Sequence, residues 1–323
     1  MRIVFAGSGT FGLPTLRALV EGGQEIVLVV TQPDRPSGRG RTVHAGQVKR
    51  FASEQGIRLL QPEDINARGA GRSIRAVEPD LLLVIAFGQK IGPSLIGVPR
   101  YGAVNLHASL LPEYRGAAPI NWALIHGEAE TGLTVIEITD RMDGGDILGQ
   151  RATPIGPDET AGELHDRLAL LGARLVTEVV RELALDDVGR RHQNEARVTL
   201  APRLKKTDGL VDWKQPAVAV HNLIRGTTPW PGAYAWWRRK AGREPLRLVL
   251  AKTKVIEGAS GGAGPGVVLA AGREGVDVAA ACGAVRILSL TPAGKRTMSA
   301  ADFVNGYGIE AGARLASARE GDS

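Results

Sequence analysis

The sequence predicts an α/β protein: an open, mostly parallel Rossmann-like sheet with helices on both faces, followed by a small C-terminal β-barrel of OB-like type. Three observations carry that expectation. The first half alternates short β-branched runs with helically spaced apolar residues. The last third breaks into short apolar runs between glycine-rich turns. Glycine supplies 42 of 323 residues, about twice the usual ~7%, with no period of three, so many tight loops are expected.

Arg2–Ala6 and Glu25–Val30 suit parallel strands buried on both sides. Between them Leu13, Leu16, Leu19 and Val20 recur at helical spacing, and Gly22-Gly23 ends that helix. Leu81–Ala86, Ala103–His107 and Gly132–Ile138 read as further strands. A long helix opens at Thr160 and runs to about Leu185, with Thr160 as N-cap and Glu163 placed for a capping box. In such sheets sites lie beyond the carboxyl ends of strands. Residues 190–208 are polar and irregular and read as a linker between domains at 1–189 and 209–323. Beyond it Ala217–Arg225 reads as a helix, and Leu246–Leu250, Gly266–Leu269, Val276–Ala279 and Val285–Leu290 as barrel strands, with Gly258–Gly266 as a loop tip.

With 43% apolar and 23% charged residues the chain has ample material for a core. Its longest apolar runs, such as Leu81–Phe87, fall short of the ~20 residues that span a bilayer. Met1–Gly9 lacks the pattern of a signal peptide. A cytoplasmic protein with no membrane partner, acting as a monomer, is expected. Cys282, the one cysteine, allows no internal disulfide or multi-cysteine metal cage and reads as a small buried hydrophobe. The net charge of +6 is uneven: residues 203–323 hold 18 Lys/Arg against 10 Asp/Glu. The densest block, Arg238, Arg239, Lys240, Arg243, Arg247, Lys252 and Lys254, is opposed locally by Glu244 alone. Such a block attracts polyanions, nucleic acid above all, although a solvated face serving solubility has the same composition. Trp236-Trp237 could stack bases there or pack half-buried in the barrel. His126 and His165 fall in predicted helices and read as structural.

Gly7-Ser-Gly-Thr-Phe-Gly12 fits G-x-G-x-x-G between a strand and a helix, with Asp34 about 20 residues on. A dinucleotide site and a merely steric strand-to-helix turn are both compatible with it. Asn105-Leu-His107-Ala-Ser-Leu-Leu-Pro112 and Met142-Asp143-Gly-Gly-Asp146 carry more chemistry. Residues two apart on a strand share a face, so Asn105 and His107 present a carboxamide and an imidazole together. Asp143 follows 36 positions later in a glycine-flanked loop from which its carboxylate could approach His107. The trio offers a donor amide, a titratable ring and an acid to orient it. Ser109 lacks a nucleophile-elbow pattern, so the trio suits direct attack on an acyl carbon by an external nucleophile. The alternative is a turn-capping Asn105 and a satisfied buried His107.

These motifs, with Arg115-Gly-Ala-Ala-Pro-Ile120, Thr31–Gly40 and Ile224-Arg225-(x)4-Pro229-Trp-Pro-Gly-Ala-Tyr234, resemble the folate-dependent formyltransferase family over nearly the whole chain, from Arg2 to about Leu290. One departure is the turn Gly7-Ser-Gly9, where the family usually carries a proline soon after the first glycine. The resemblance implies a 10-formyltetrahydrofolate donor, no metal and no nicotinamide. It makes Asn105, His107 and Asp143 catalytic. It places folate against Phe87, Gly88 and Gln89 and against Ser109, Leu110, Leu111 and Pro112. The Pro33–Arg41 loop and the basic second domain imply initiator tRNA charged with methionine as acceptor. Arg35, Arg39 and Arg41 would then meet its acceptor end, and Lys205, Lys206, Arg238, Arg239 and Lys240 its phosphates. Kept beside this are a formyltransferase for glycinamide ribonucleotide or an aminosugar nucleotide, a formyl-folate hydrolase, and a non-catalytic RNA-binding protein.

Overall fold

A computed structural model describes residues 1–37, 42–43, 45–239, 244–258 and 262–317. The chain forms two compact units, Met1–Pro119 with Thr131–Thr153 and His165–Ala201, and Ile120–Glu130 with Pro154–Leu164 and Pro202–Ser323.

The first unit is built on a seven-stranded sheet in the order Leu59–Leu60, Glu25–Val30, Arg2–Gly7, Leu81–Ile85, Ala103–His107, Glu130–Glu137, Ile147–Pro154. The first five strands are mutually parallel, and Glu130–Glu137 pairs antiparallel with Ala103–His107. Leu81–Ile85 is buried throughout, as an inner strand covered on both faces must be. On one face Val4, Val30, Leu82 and Val84 pack with Ile65, Ile74 and Leu95. On the other, the turn before helix Leu13–Glu21 presses on Phe5 and Ile85, and a Cβ at Gly12 would lie 2.9 Å from Phe5 Cζ. Gly7 is as tightly packed, 2.7 Å from Phe5 Cε1 by the same measure. The glycine pattern is therefore accounted for by close packing of a 3-10 turn and helix on the sheet. The long helix Ala161–Ala184 lies over Leu106 and Leu133 through Gly172.

Residues 190–208 are not the free connector that their polarity suggested. Arg191 bridges Ile147 through both backbone bonds (2.8 and 3.0 Å), and Leu200–Ala201 pairs parallel with Arg115–Gly116. Backbone pairing needs no apolar side chains, so hydropathy does not reveal it.

The second unit contains an antiparallel sheet in the order Val268–Gly272, Gly275–Ala279, Ala284–Pro292, Leu246–Ile256, Ala233–Arg238, Arg314–Ala316. Its ends meet: Val267 bridges Arg314, Leu315 N donates to Gly266 O and Val268 N to Ala313 O, both at 2.8 Å. The sheet thus curls into a small barrel. Along Ala233–Arg238 the residues alternate, so Trp237 is core, with its ring 5.6 Å from Phe303, while Trp236 takes an outward position. Cys282 is exposed, in the turn before Ala284–Pro292, and is not the buried hydrophobe expected. In helix Ala217–Thr227, Arg225 is buried, donates to Asn222 Oδ1 (2.8 Å) and Gly156 O (3.1 Å), and has its pKa lowered by burial against the opposing pull of Glu159 and Asp158. Among the described residues no helix is long and apolar enough to cross a membrane.

The capping box at the long helix is present. Thr160 N and Oγ1 both donate to Glu163 Oε2 at 2.8 Å, and Glu163 N donates to Thr160 Oγ1 at 3.3 Å. Those bonds hold the Glu163 carboxyl below its ordinary value. A carboxylate so depressed stabilises the fold above its unfolded-state value, and the contribution is lost as pH falls through the lowered one. Thr160→Ala is expected to cost about 0.5–2 kcal/mol in urea unfolding at neutral pH. The stability difference between the parent and Glu163→Gln should narrow as pH approaches about 3.

Candidate active site

The carboxyl ends of the parallel strands are tied together by polar side chains. Ser8 Oγ accepts from Gln32 N (2.9 Å), and Phe87 O accepts from Gln32 Nε2 (3.1 Å) and Ser8 Oγ (3.5 Å). The chain leaves Leu81–Ile85 through two left-handed residues, Ala86 (φ 48°) and Gly88 (φ 84°), which drive the Phe87 ring into the core. The Gln89 carboxamide is engaged with Ile65 N (2.7 Å), Glu63 O (3.2 Å) and Pro62 O (3.3 Å). Of the Phe87–Gln89 segment it is therefore the backbone of Gly88 that stays exposed.

The segment after Ala103–His107 is fixed by one hydroxyl. Thr134 Oγ1 is buried, donates to Ser109 O (2.7 Å) and accepts from Leu111 N (3.1 Å) and Gln150 Nε2 (3.0 Å). Ser109 is itself buried, its Oγ donating to Glu113 O at 2.6 Å, and so holds the turn rather than serving as a nucleophile. Leu110 packs on Gly132, and Leu111 clusters with Ile136 and Ile147. Ser109, Leu110 and Leu111 thus build the loop with their side chains, and Pro112 is half-buried beside them.

On the strand, Asn105 lies opposite Ile136 and His107 opposite Thr134, so both project from one face. The Asn105 carboxamide is half-buried and makes no hydrogen bond with another described residue. His107 is buried and its Nε2 donates to Tyr114 O at 2.9 Å. This leaves Nδ1 as the ring atom that takes or releases a proton, and Asp143 Oδ2 faces it at 3.7 Å. The strand Glu130–Glu137 runs the other way and ends beside Val104, so the loop after it must double back to deliver that carboxylate. It does so with Asp143 at φ 51°, Asp143 Oδ2 accepting from Gly116 N at 2.9 Å. A Cβ at Gly145 would fall 1.9 Å from Glu137 O, so no side chain fits there. Three of the five non-glycine residues with positive φ among those described, Ala86, Tyr114 and Asp143, border this place, where strain is commonly concentrated in working sites.

Sequence reasoning left the supports of Asp143 unassigned. Gln193 Nε2 donates to Asp143 O (2.7 Å) and Gly145 O (2.8 Å). Arg115, buried, donates to Gln193 Oε1 (2.7 and 3.1 Å) and forms a bidentate pair with Glu195 (2.9 and 3.2 Å). The only signal available was an arginine inside a family motif and a polar run after the long helix.

The residues expected to meet RNA divide. Lys205 and Lys206 are exposed, as is Arg238. Arg239 donates through Nε (2.7 Å) and Nη2 to Glu244 O, closing its own hairpin. Arg35 is exposed and pairs with Glu63 at 3.2 Å. Arg39, Arg41 and Lys240 lie outside the described residues. At the base of the arginine loop Asp34 pairs with Lys49 and accepts from Gln61 Nε2 (3.2 Å). The hydrogen bond from Lys49 holds the Asp34 carboxyl low, so that carboxylate is already engaged where a dinucleotide site would need it for a ribose.

A donor carboxamide, a ring with one free nitrogen and a facing carboxylate thus lie together beside a parallel sheet's carboxyl edge, groups of the kind that can serve acyl-group chemistry. The family profile described as Formyl transferase matches residues 1–180, and that described as Formyl transferase, C-terminal domain, matches residues 203–308. The chain belongs to the formyl transferase family. It is 45% identical over 315 residues to the methionyl-tRNA formyltransferase of Citrifermentans bemidjiense, covering 98% of this chain and 96% of that one. To the methionyl-tRNA formyltransferase of Geobacter metallireducens it is 46% identical over 315 residues, 98% of each. The structure of HypX from Aquifex aeolicus in complex with tetrahydrofolic acid matches with a TM-score of 0.60 at 18% identity, a likeness of fold. The match covers 95% of this chain and 47% of HypX, so the chain spans about half of HypX's length.

Thr134→Val removes the hydroxyl but keeps the shape, stranding Ser109 O and Leu111 N. The expected loss is about 1–3 kcal/mol for each buried group left unpaired, read as a lowered urea midpoint with an unchanged slope.

Proposed function

We propose that this protein transfers the formyl group of 10-formyltetrahydrofolate to the α-amine of methionine esterified to initiator tRNA. The observation that carries the reading is the His107–Asp143 pair, 3.7 Å apart, beside an Asn105 carboxamide with no partner among the described residues. Identity of 45–46% to methionyl-tRNA formyltransferases, over both domains, supports tRNA as the acceptor. The basic balance of residues 203–323 supports it too.

The amine's lone pair attacks the formyl carbon and the carbonyl π pair moves onto oxygen. Asn105 donates to that oxyanion, a kind of interaction whose removal costs about 10²–10³ in turnover. His107, through Nδ1, takes the proton that the amine sheds, with Asp143 stabilising the charged ring. Collapse of the tetrahedral centre breaks the bond to the folate nitrogen, which leaves with a proton, so tetrahydrofolate and the N-formylated aminoacyl-tRNA are formed. The transferred carbon stays at the oxidation level of formate, so the reaction calls for no nicotinamide. Folate is held on the 1–189 side of the chain. The exposed backbone of Ala86 and Gly88 offers amide and carbonyl groups to a pterin edge, with the Ser109–Pro112 loop close to His107 in sequence.

Lys205, Lys206, Arg238, Arg239 and Lys240 hold phosphates of the tRNA stem without reading bases. Arg239 retains Nη1 after closing its hairpin. Arg35, Arg39 and Arg41 meet the acceptor end, a glycine- and arginine-rich loop being suited to ordering on an RNA backbone.

The deciding assay offers the formyl-folate donor with methionyl initiator tRNA, methionyl elongator tRNA, glycinamide ribonucleotide, or water alone. Formylation of the initiator is expected. Transfer to none of the amines, with hydrolysis of the donor, would replace the reading by a formyl-folate hydrolase. In the same assay Asn105→Ala, His107→Ala and Asp143→Ala should each lower kcat at least about 100-fold while circular dichroism stays native. Near-parent turnover in any one removes its assigned role. Lys205→Ala, Lys206→Ala and Arg238→Ala together should weaken tRNA binding and flatten the plot of log K against log salt by about 1 for each side chain that no longer neutralises a phosphate. An unchanged slope would take those residues out of the interface.

A further inference from the structure

We infer that Gln193 and Arg115 are positioning residues that hold the Asp143 carboxylate against His107. The inference rests on the role given to Asp143 above. The chain around Asp143 does not choose its conformation on its own terms. Asp143 at φ 51° lies in the left-handed region, which aspartate enters more readily than most side chains but less readily than glycine. Such a conformer persists only where its surroundings over-determine it.

The surroundings are specific. The two N–H groups of the Gln193 carboxamide go to Asp143 O (2.7 Å) and Gly145 O (2.8 Å), on either side of Gly144. Its oxygen accepts twice from Arg115, at 2.7 and 3.1 Å. Every donor of that amide is used, and a flipped amide would set N–H against N–H at Arg115 and oxygen against two carbonyls. Arg115 is only 8% exposed, and its guanidinium is in turn fixed by its fork onto Glu195, so its direction is set before it meets Gln193. Hydrogen bonding from Arg115 also holds the Glu195 carboxyl below its ordinary value.

Backbone completes the grip. Gly116, the residue after Arg115, donates its N–H to Asp143 Oδ2 at 2.9 Å. One dipeptide therefore holds Asp143 twice, through the Arg115 side chain by way of Gln193 and through the Gly116 amide. Arg115–Gly116 is itself paired with Leu200–Ala201, and the register of Gln193 is set by the Arg191–Ile147 bridge two residues before it. The segment after the long helix thus works as a clasp on the catalytic loop. Nothing in the arrangement leaves Gln193 free to meet a ligand.

Gln193→Met tests this, since it keeps length and volume but loses all four hydrogen bonds; Gln193→Glu keeps the shape and reverses the two donors. Formyl transfer to methionyl initiator tRNA is measured for both, for Asp143→Asn, and for the double variant Gln193→Met/Asp143→Asn, with thermal unfolding alongside. Gln193→Met is expected to lower kcat about 10- to 100-fold, the size of effect a displacement of about 1 Å can have. KM for folate and for tRNA should stay within about threefold. The double variant should be no slower than Asp143→Asn, because a misplaced group that is already disabled has nothing further to lose. Parent-like kcat in both Gln193 variants overturns the inference, as do losses that multiply in the double variant. A structure of Gln193→Met with Asp143 still bonded to Gly116 and 3.7 Å from His107 overturns it whatever the activity. If the parent forms no formylated product, the failure belongs to the functional reading; an active parent with inert Gln193 changes convicts the clasp alone.

Discussion

The placement on which the polar network of the first unit converges is that of a loop carboxylate, Asp143, facing the free nitrogen of His107, a ring on a strand that the loop does not follow. The imidazole is set by the most rigid part of the molecule, a strand inside a seven-stranded sheet, with Nε2 engaged by Tyr114 O. Asp143 comes from a loop whose preceding strand ends near Val104, so the loop must reverse over the sheet face. A partly buried carboxylate is costly unless its oxygens find donors. Gly116 N–H supplies one, and the glycine at 145 lets the chain pass where Glu137 O leaves no room for a side chain.

The strain gathered around that pair is offset by packing and hydrogen bonding elsewhere. Tyr114 and Asp143 both take left-handed conformations, Tyr114 to aim its carbonyl at His107 and Asp143 to turn its carboxylate back. Buried polar networks stabilise when fully satisfied and destabilise when partly so. The network here is close to complete: Thr134 serves three partners, Gln193 makes four hydrogen bonds, and Arg115 reaches Gln193 and Glu195. The Asn105 carboxamide is the exception, half-buried and without a partner among the described residues.

Where the linear pattern was periodic, it read through. Buried parallel strands such as Leu81–Ile85, the capping box at Thr160 and Glu163, and the pairing of Asn105 with His107 on one face follow from side-chain spacing and hydrogen-bonding habit, and the structure has them. The segment 190–208 did not read through. Its polar side chains mimic a solvated connector, yet its backbone pairs with Ile147 and with Arg115–Gly116 and its Gln193 grips the Asp143 loop. Cys282 was misjudged because burial of a small residue depends on the turn that carries it. Arg239, expected among the residues that meet phosphates, commits two of its nitrogens to Glu244 O.

The sequence by itself determined the alternation of strand and helix, the family motifs, and the sharing of one strand face by Asn105 and His107, because each depends on neighbours a few positions away. Only the tertiary structure decided that Asp143 meets His107 and that Arg115 faces inward to Gln193 and Glu195. Those outcomes turn on hydrogen bonds between residues 27 to 80 positions apart, such as Gly116 to Asp143 and Arg115 to Glu195. No local pattern encodes them: partners distant in the chain settle them when the sheet closes.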